Sequence, residues 1–278
     1  MTQDTQSSFV RHEPCPSCNS RDNLARYSDG HAYCFGCEYR EPAVGEVNEF
    51  NNNKEKTDMI EGQVQALSKR QIDFDTAKFY NYQVGEYNGS PVQIAPYYDT
   101  NYLLVAQHIR FPNKDFIWLG DMNEVGLFGK HKWKGNQKMI TITEGEIDAM
   151  SVSKVQGNKW PVVSVPSGAK SAKKFIKKEL EYLESFQNVV LMFDNDEAGN
   201  AASIECAQLF SPKKALISKL PMKDANEMLV SNRGKDIIHY IWNAKPYTPE
   251  GIIAGADTWD LVIQDDSKEC TPYIWEGL

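Results

Sequence analysis

Two apolar runs in this chain stop abruptly at carboxylates, and they constrain its fold more than any other feature. Residues 138–148 read KMITITEGEID, and residues 188–196 read NVVLMFDND. Each run is rich in Ile, Val or Thr and has the length of a buried strand. Helical segments are interleaved with them. Residues 149–155 continue a helix out of the first stop, and 160–166 read as a short strand followed by a turn at 167–170. The segment 171–186 places Ala172, Phe175, Ile176, Leu183 and Phe186 on one helical face. A helix running to Phe210, with Cys206 on its apolar side, precedes a strand at 215–220. Strands that alternate with helices at this pitch need crossover connections, so the fold class is α/β with a parallel sheet.

In an open α/β sheet the ligand crevice lies beyond the carboxyl ends of the strands. Glu144, Glu146 and Asp148 are therefore expected to face Asp194 and Asp196, with Asp224 past the next strand as a third acidic corner. Asp194 and Asp196, two apart on an extended segment, should point to the same side. Anions that close raise each other's pKa unless a divalent cation neutralises them, and oxygen-only donors suit Mg²⁺ or Mn²⁺. The same residues admit a plainer use. Asp196 and Asp224 would each N-cap the helix that follows, and Glu144 to Asp148 would be an acidic first turn.

The chain has 278 residues, which suits one substantial core plus a small appended module. That module is legible near the start, where Cys15-x₂-Cys18 is followed after fifteen residues by Cys34-x₂-Cys37. This is the spacing of a structural zinc site in which four thiolates close a tetrahedron. So short a segment has too little core to fold unaided, and metal binding would supply its stability. Residues 24–27 and 31–34 read as a hairpin turning at Ser28-Asp29-Gly30. With four cysteines as ligands His31 is spare, and it either finishes the turn or offers a donor to a base edge. Tyr33, Phe35 and Tyr39 could stack on bases, although packing around so small a ribbon is the commoner use of such rings.

Residues 43–57 are Asn-rich, charged and aperiodic, as a flexible tether would be. From Met59 to Val84 the apolar residues recur at loosely helical spacing, with Ser68 and Asp73 as candidate helix starts. Two strands follow at 92–97 and 102–110, joined at Asp99-Thr100-Asn101. Arg110, Lys114, Lys130, Lys132, Lys134 and Lys138 set basic side chains along this region, either as a solvated surface or as a phosphate site.

The net charge is −8, yet it is unevenly spread: residues 59–245 hold 23 Lys/Arg against 21 Asp/Glu, and residues 246–278 hold 1 against 7. A polyanionic partner is thus permitted. No apolar run approaches membrane-spanning length and no signal peptide is present, so a cytosolic protein is expected. No Gly-x-x-x-x-Gly-Lys-Ser/Thr motif occurs, which excludes a Walker-type ATPase site in these residues.

A four-cysteine ribbon, then EGEID, FDNDEAG and KDANE in this order, resembles the DnaG-like TOPRIM primases, above all the primase half of the primase-helicases of T-odd bacteriophages. The resemblance extends to Ser28-Asp29-Gly30-His31 and Gly129-Lys130-His131. It implies a zinc ribbon over residues 1–42, a tether over 43–57, and an α+β subdomain over 58–137. A TOPRIM catalytic subdomain follows over 138–245, with an acidic linker toward a helicase over 246–278. The implied activity is primer synthesis: a DNA-directed RNA polymerase joining ribonucleoside triphosphates on single-stranded DNA at specific sites during phage replication. TOPRIM motifs also occur in nucleases, so metal-dependent DNA cleavage is the alternative.

By the same resemblance Glu144, Asp148, Asp194 and Asp196 are catalytic, and Glu144, Asp194, Asp196 and Asp224 hold one or two Mg²⁺ or Mn²⁺. Cys15, Cys18, Cys34 and Cys37 hold one Zn²⁺, and His31 touches template. Arg110, Lys114 and Lys130 contact nucleotide, within a basic motif where His108 and Ile117 stand in place of lysines seen in relatives. The implied partners are a replicative helicase and the DNA polymerase that receives the primer, in the cytoplasm of the host cell and without a membrane.

Overall fold

The structure is a computed structural model that describes residues 7–16, 20–36, 39–41 and 59–249. Cys18, Cys37, the tether at 43–57, the tail from 250 and Cys270 lie outside the described residues. The chain divides into two compact units, residues 1–55 and 56–278.

The first unit is an antiparallel sheet of β1 (Phe9–Glu13), β2 (Leu24–Tyr27), β3 (Ala32–Cys34) and β4 (Arg40–Glu41), in that order. The β2–β3 hairpin matches the sequence pattern, and Gly30 at φ 90° makes its turn. The flanking strands β1 and β4 carry no comparable pattern. Arg26 secures both, binding Glu13 at 2.8 Å and Glu41 at 2.7 Å. Cys15, Leu24, Ala32 and Cys34 form the small core, with Tyr39 packed on it.

The second unit begins with β5 (Gly62–Val64), a 3₁₀ turn at Ser68–Arg70, α1 (Phe74–Tyr80), β6 (Gln83–Tyr87), β7 (Ser90–Tyr98), β8 (Leu104–Arg110) and β9 (Phe116–Gly120). These strands form an antiparallel sheet in chain order. The structure departs from the helical reading of 59–84. Asp73 does cap α1, accepting from the Thr76 N–H at 2.9 Å, but Gly62–Val64 and Gln83–Tyr87 pair with each other as strands. A few apolar residues spaced three to five apart fit either period, and strand pairing decides between them.

The remainder is β10 (Met139–Thr143), α2 (Glu146–Val155), β11 (Val162–Ser164), α3 (Ala169–Lys178), α4 (Leu180–Glu184), β12 (Asn188–Met192), α5 (Glu197–Ala207), β13 (Ala215–Ile217), α6 (Ala225–Val230), α7 (Gly234–Trp242) and β14 (Lys245–Pro246). The sheet order is β11-β10-β12-β13-β14, parallel except for β14 at the edge. The expected parallel sheet is present, with shorter strands than the sequence suggests. The helix expected over 171–186 begins earlier, at Ala169, and is interrupted at Glu179, a buried carboxylate that turns to meet Lys130.

One apolar core joins the two sheets of this unit. Tyr80, Tyr97 and Phe128 pack with Ile140, Ile142 and Val162, all fully buried. The Tyr80 hydroxyl and the Trp133 indole both donate to the Val162 carbonyl at 3.0 Å, so the aromatic cluster leaves its polar atoms satisfied. Gly129, at φ 77°, sits where a Cβ would lie 2.5 Å from the Tyr80 ring. Among the described residues no helix is long and apolar enough to cross a membrane.

Candidate active site

Sheet order creates the site. β10 and β12 are neighbours in parallel register, Thr143 opposite Met192, so both carboxylate-bearing stops open at the same edge. Glu144 leaves β10 and is gripped by backbone: Oε1 accepts from the Ala169 N–H at 3.1 Å and Oε2 from the Asp194 N–H at 3.4 Å. Asp148, in the first turn of α2, accepts from the Asn226 N–H at 2.9 Å and so ties that turn to α6. Asn226 is itself a buried hub, receiving Arg70 at 3.1 Å and donating to Ser151 and to the Arg70 carbonyl, each at 2.9 Å.

Asp194 and Asp196 do not share an extended segment, because β12 ends at Met192. Asp194 is drawn inward beside Glu144. Asp196 is exposed and caps α5, accepting from the Gly199 N–H at 2.9 Å. Asp224 likewise caps α6 through the Glu227 N–H at 2.7 Å. The capping use and the acidic cluster therefore coexist: each aspartate commits one oxygen to a helix start and keeps the other. Gly199 is required for close approach, since a Cβ there would stand 2.2 Å from the Asp194 carbonyl oxygen.

The electrostatic cost is large. Burial, then Glu144 and Asp224, push the Asp194 carboxyl up to about 7 against the weak opposition of Lys223, whose ammonium is 3.9 Å away. Burial, then Asp224, raise Asp148 well above the ordinary carboxylate range, and Asp194 adds to it. Crowded carboxylates of this kind are a stability liability, the usual mark of a functional site.

A cavity of about 470 Å³ opens here. Glu144, Glu146, Asp148 and Asp194 line it together with His108, Arg110, Phe116 and Trp118. Arg110 reaches it from the end of β8, its guanidinium 5.4 Å from the centre of the Phe116 ring. The other expected nucleotide ligands lie elsewhere. Lys114, at φ 72° in the turn after β8, lines a neighbouring cavity of about 450 Å³ with Lys69, Arg70 and Arg110. Lys130 is ion-paired with Glu179 and lies over the Tyr182 ring at 5.0 Å, in a third cavity. A lysine held by an internal carboxylate is already neutralised, and the sequence gives no sign of that partner 49 residues away.

One pairing at the site leaves no sign in the sequence. Glu146 lines the same cavity but has partners on the antiparallel sheet: Oε1 accepts from the Tyr97 hydroxyl at 2.8 Å and bonds His108 Nδ1 at 2.6 Å. Burial raises its carboxyl, but His108 and the Tyr97 hydroxyl outweigh that and hold it below its ordinary value. The His108 ring is stacked between Phe116 at 4.8 Å and Trp118 at 4.3 Å, which fixes its plane. Alternation along β8 and β9 could have placed His108 and Trp118 on one face, but nothing local pointed to Glu146.

Hard divalent cations fit this donor set by chemistry. Asp148, Asp196 and Asp224 each have an oxygen not used in their backbone bonds, and the charge crowding at Asp194 is what a cation would relieve. Among the described residues no three His, Cys, Asp or Glu side chains already converge at ligating distance. In the ribbon, Cys15 and Cys34 are buried in one cluster. The Cys15 N–H donates to the Ser20 carbonyl at 2.9 Å and the Cys34 N–H to the Tyr39 carbonyl at 2.8 Å. His31 stacks on Tyr27 and bonds Asp29 at 2.6 Å, so it does finish the turn.

A parallel sheet with acids at adjacent strand ends, set beside an antiparallel sheet that supplies cationic and aromatic side chains, defines a TOPRIM-type α/β domain with an N-terminal α+β partner. Residues 141–229 match the Toprim-like family, and residues 62–120 match the N-terminal α+β fold of bacteriophage T7 DNA helicase/primase. The chain is 36% identical along its whole length to the DNA helicase/primase of Enterobacteria phage T3, of which it spans 51%, about half. A primase homolog protein of Arabidopsis thaliana is 30% identical over 52% of this chain and 48% of its own. The crystal structure of the primase fragment of the bacteriophage T7 primase-helicase protein superposes with a TM-score of 0.65 at 35% identity, covering 84% of this chain and 100% of that one. A chain from the bacteriophage T7 assembly of lagging-strand DNA polymerase, primase domains, RNA/DNA hybrid and dTTP gives a TM-score of 0.64 at 40% identity, over 67% of this chain and 94% of that one. The chain belongs to the TOPRIM primase family of the bacteriophage T7 type.

Proposed function

We propose that this chain is a DNA-dependent RNA primase that joins ribonucleoside triphosphates into short primers on single-stranded DNA. The observation that carries the reading is a single cavity lined both by carboxylates and by Arg110 and His108. Nucleotidyl transfer needs both: carboxylates to hold a cation at the reacting phosphate, and donors for the rest of the triphosphate. The reaction is an in-line attack of one nucleotide's 3′-hydroxyl on the α-phosphorus of another, with pyrophosphate leaving.

Glu144, Asp194, Asp196 and Asp224 would hold one or two Mg²⁺ or Mn²⁺, which when bound stabilise charge on the attacking, bridging and leaving oxygens. Asp148, fixed by Asn226, completes the acidic set. Arg110 contacts triphosphate, and Lys114 extends that contact from the adjoining cavity. Lys130 has a role only if it exchanges Glu179 for nucleotide. Cys15, Cys18, Cys34 and Cys37 hold one zinc, and the ribbon, residues 1–42, brings template through His31. The working divisions are the tether 43–57, the subdomains 58–137 and 138–245, and the linker 246–278. The phage relatives support a replicative helicase and a primer-receiving DNA polymerase as partners, inside the infected bacterial cell.

One incubation tests the reading: single-stranded DNA, Mg²⁺ and labelled ribonucleoside triphosphates. Labelled oligomers that need template support it. Shortened template without labelled product would make the chain a nuclease, and neither product would leave a binding protein.

A further inference from the structure

One buried pair at the cavity has a chemical use that holding a nucleotide does not exhaust. Glu146 opens α2 and His108 stands in β8, and they meet at 2.6 Å between Oε1 and Nδ1. The Tyr97 hydroxyl donates to the same oxygen at 2.8 Å. Burial raises the Glu146 carboxyl, but His108 and Tyr97 hold it below its ordinary value, so it is ionised and only accepts hydrogen bonds. Nδ1 therefore carries the hydrogen of the shared bond, and Nε2 is the nitrogen left for a bound molecule.

The surroundings keep the ring in that attitude. Trp118 lies nearly parallel to it, 13° off at 4.3 Å, and Phe116 stacks on it at 4.8 Å. Tyr97 packs on Trp118 at 4.9 Å, so the residue that orders Glu146 also braces the stack. His108 is 8% exposed and borders the same cavity as Glu144, Asp148 and Asp194. A carboxylate that fixes an imidazole by one nitrogen and frees the other is the arrangement by which an imidazole moves a proton.

The groups facing the ring set the direction of that transfer. α2 brings Glu146, β7 brings the Tyr97 phenol, β9 brings two uncharged rings, and Arg110 follows two residues on in β8. A bound triphosphate adds anionic oxygens to the Glu146 carboxylate, and anions on both sides favour the imidazolium. We propose that His108 is a catalytic acid that gives its Nε2 proton to the departing pyrophosphate, and that Glu146 is the positioning residue that aims it. The identity of the leaving group rests on the priming reading. In this step the 3′-oxygen forms its bond to the α-phosphorus, and the hydroxyl proton passes to water. The bond from that phosphorus to the pyrophosphate oxygen breaks, the electron pair stays on that oxygen, and the oxygen takes the His108 proton. Water then returns a proton to Nε2, and Glu146 stays ionised throughout.

The test measures single-turnover RNA synthesis by the full zinc-loaded chain on single-stranded DNA, using nucleotides whose β,γ-bridging oxygen is replaced by CF₂, CHF or CH₂. Leaving-group basicity rises along that series, and an acid helps the most basic leaving group most. Wild type should therefore vary little across it. His108→Gln keeps a donor but has no proton to give, so it should lose about 100-fold or more with ordinary nucleotides, and about 10-fold more with CH₂ than with CF₂. Glu146→Gln keeps acceptors for Tyr97 and Nδ1 without the charge, and should steepen the same dependence with a smaller loss. An equal loss along the whole series makes His108 a binding group and overturns the acid role, as does wild-type activity in His108→Gln. A steep dependence in wild type overturns it too, whether or not the variants fold. In each of these cases RNA is still made and the priming reading stands. If wild type makes no RNA, that reading falls and the acid role with it.

Discussion

Replacing Asp194 by Asn should make the magnesium-free protein more stable and at the same time abolish RNA synthesis. The carboxyl sits at about 7 in the folded chain against an ordinary 3.8. Roughly 3 pKa units at about 1.4 kcal/mol each give an upper limit near 4 kcal/mol. The side chain is 19% exposed, so solvent screening reduces this to about 2 kcal/mol. The sign follows from proton linkage. Between pH 3.8 and about 7 the folded state keeps a proton that the unfolded state has lost, so wild-type stability declines as pH rises through that window. The asparagine variant escapes the decline. In a unit of this size each kcal/mol moves the melting temperature by about 2–4 °C, so the variant should melt about 4–8 °C higher at pH 8. Near pH 4 the difference should vanish. Saturating Mg²⁺ should erase it at pH 8 as well, because a bound cation stabilises only the wild-type carboxylates. Thermal melts of protein dialysed free of Mg²⁺ with zinc retained, followed by tryptophan fluorescence at the two pH values, would check this. Equal melting temperatures at pH 8, or an advantage that persists at pH 4, would refute the charge-crowding argument.

Gly199→Ala should cost about 1–3 kcal/mol and depress RNA synthesis, because the added methyl must displace the Asp194 backbone that it would otherwise meet at 2.2 Å. Urea denaturation and the primer assay report the two effects, and a variant normal in both would contradict the close approach. His131 should stay neutral down to about pH 4, since burial and then the Lys132 charge lower its pKa from 6.5. Its contribution to stability is full above about 6.5 and is lost as pH falls toward 4, opposite in slope to that of Asp194. An NMR titration of its ring with a midpoint above 6 would exclude the buried environment.

Much of the fold was legible because its signals are local. Val, Ile and Thr runs between helical segments announce a parallel sheet, and Asp73, Asp196 and Asp224 sit one residue before helices that they do cap. Cys206, on the apolar side of α5, is fully buried as its position implies. The 59–84 region misled because the three-residue strand β5 is too short to display a period. At the cavity, Glu144, Asp148 and Asp194 come together as the strand stops suggest, while Lys130 turns to Glu179 and Glu146 to His108.

The amino-acid order alone thus determined the alternation of strands and helices, the helix starts, and the edge of the sheet at which acids accumulate. These depend on residues within a turn or two of one another. Only the tertiary structure decided that β10 and β12 lie side by side, that a bulge swings Phe9 beside His12, and which of the neighbouring carboxylates crowd together while Glu146 bonds an imidazole 38 residues away. Those outcomes are set by pairing between distant segments. There the partner rather than the residue's own pattern selects the orientation.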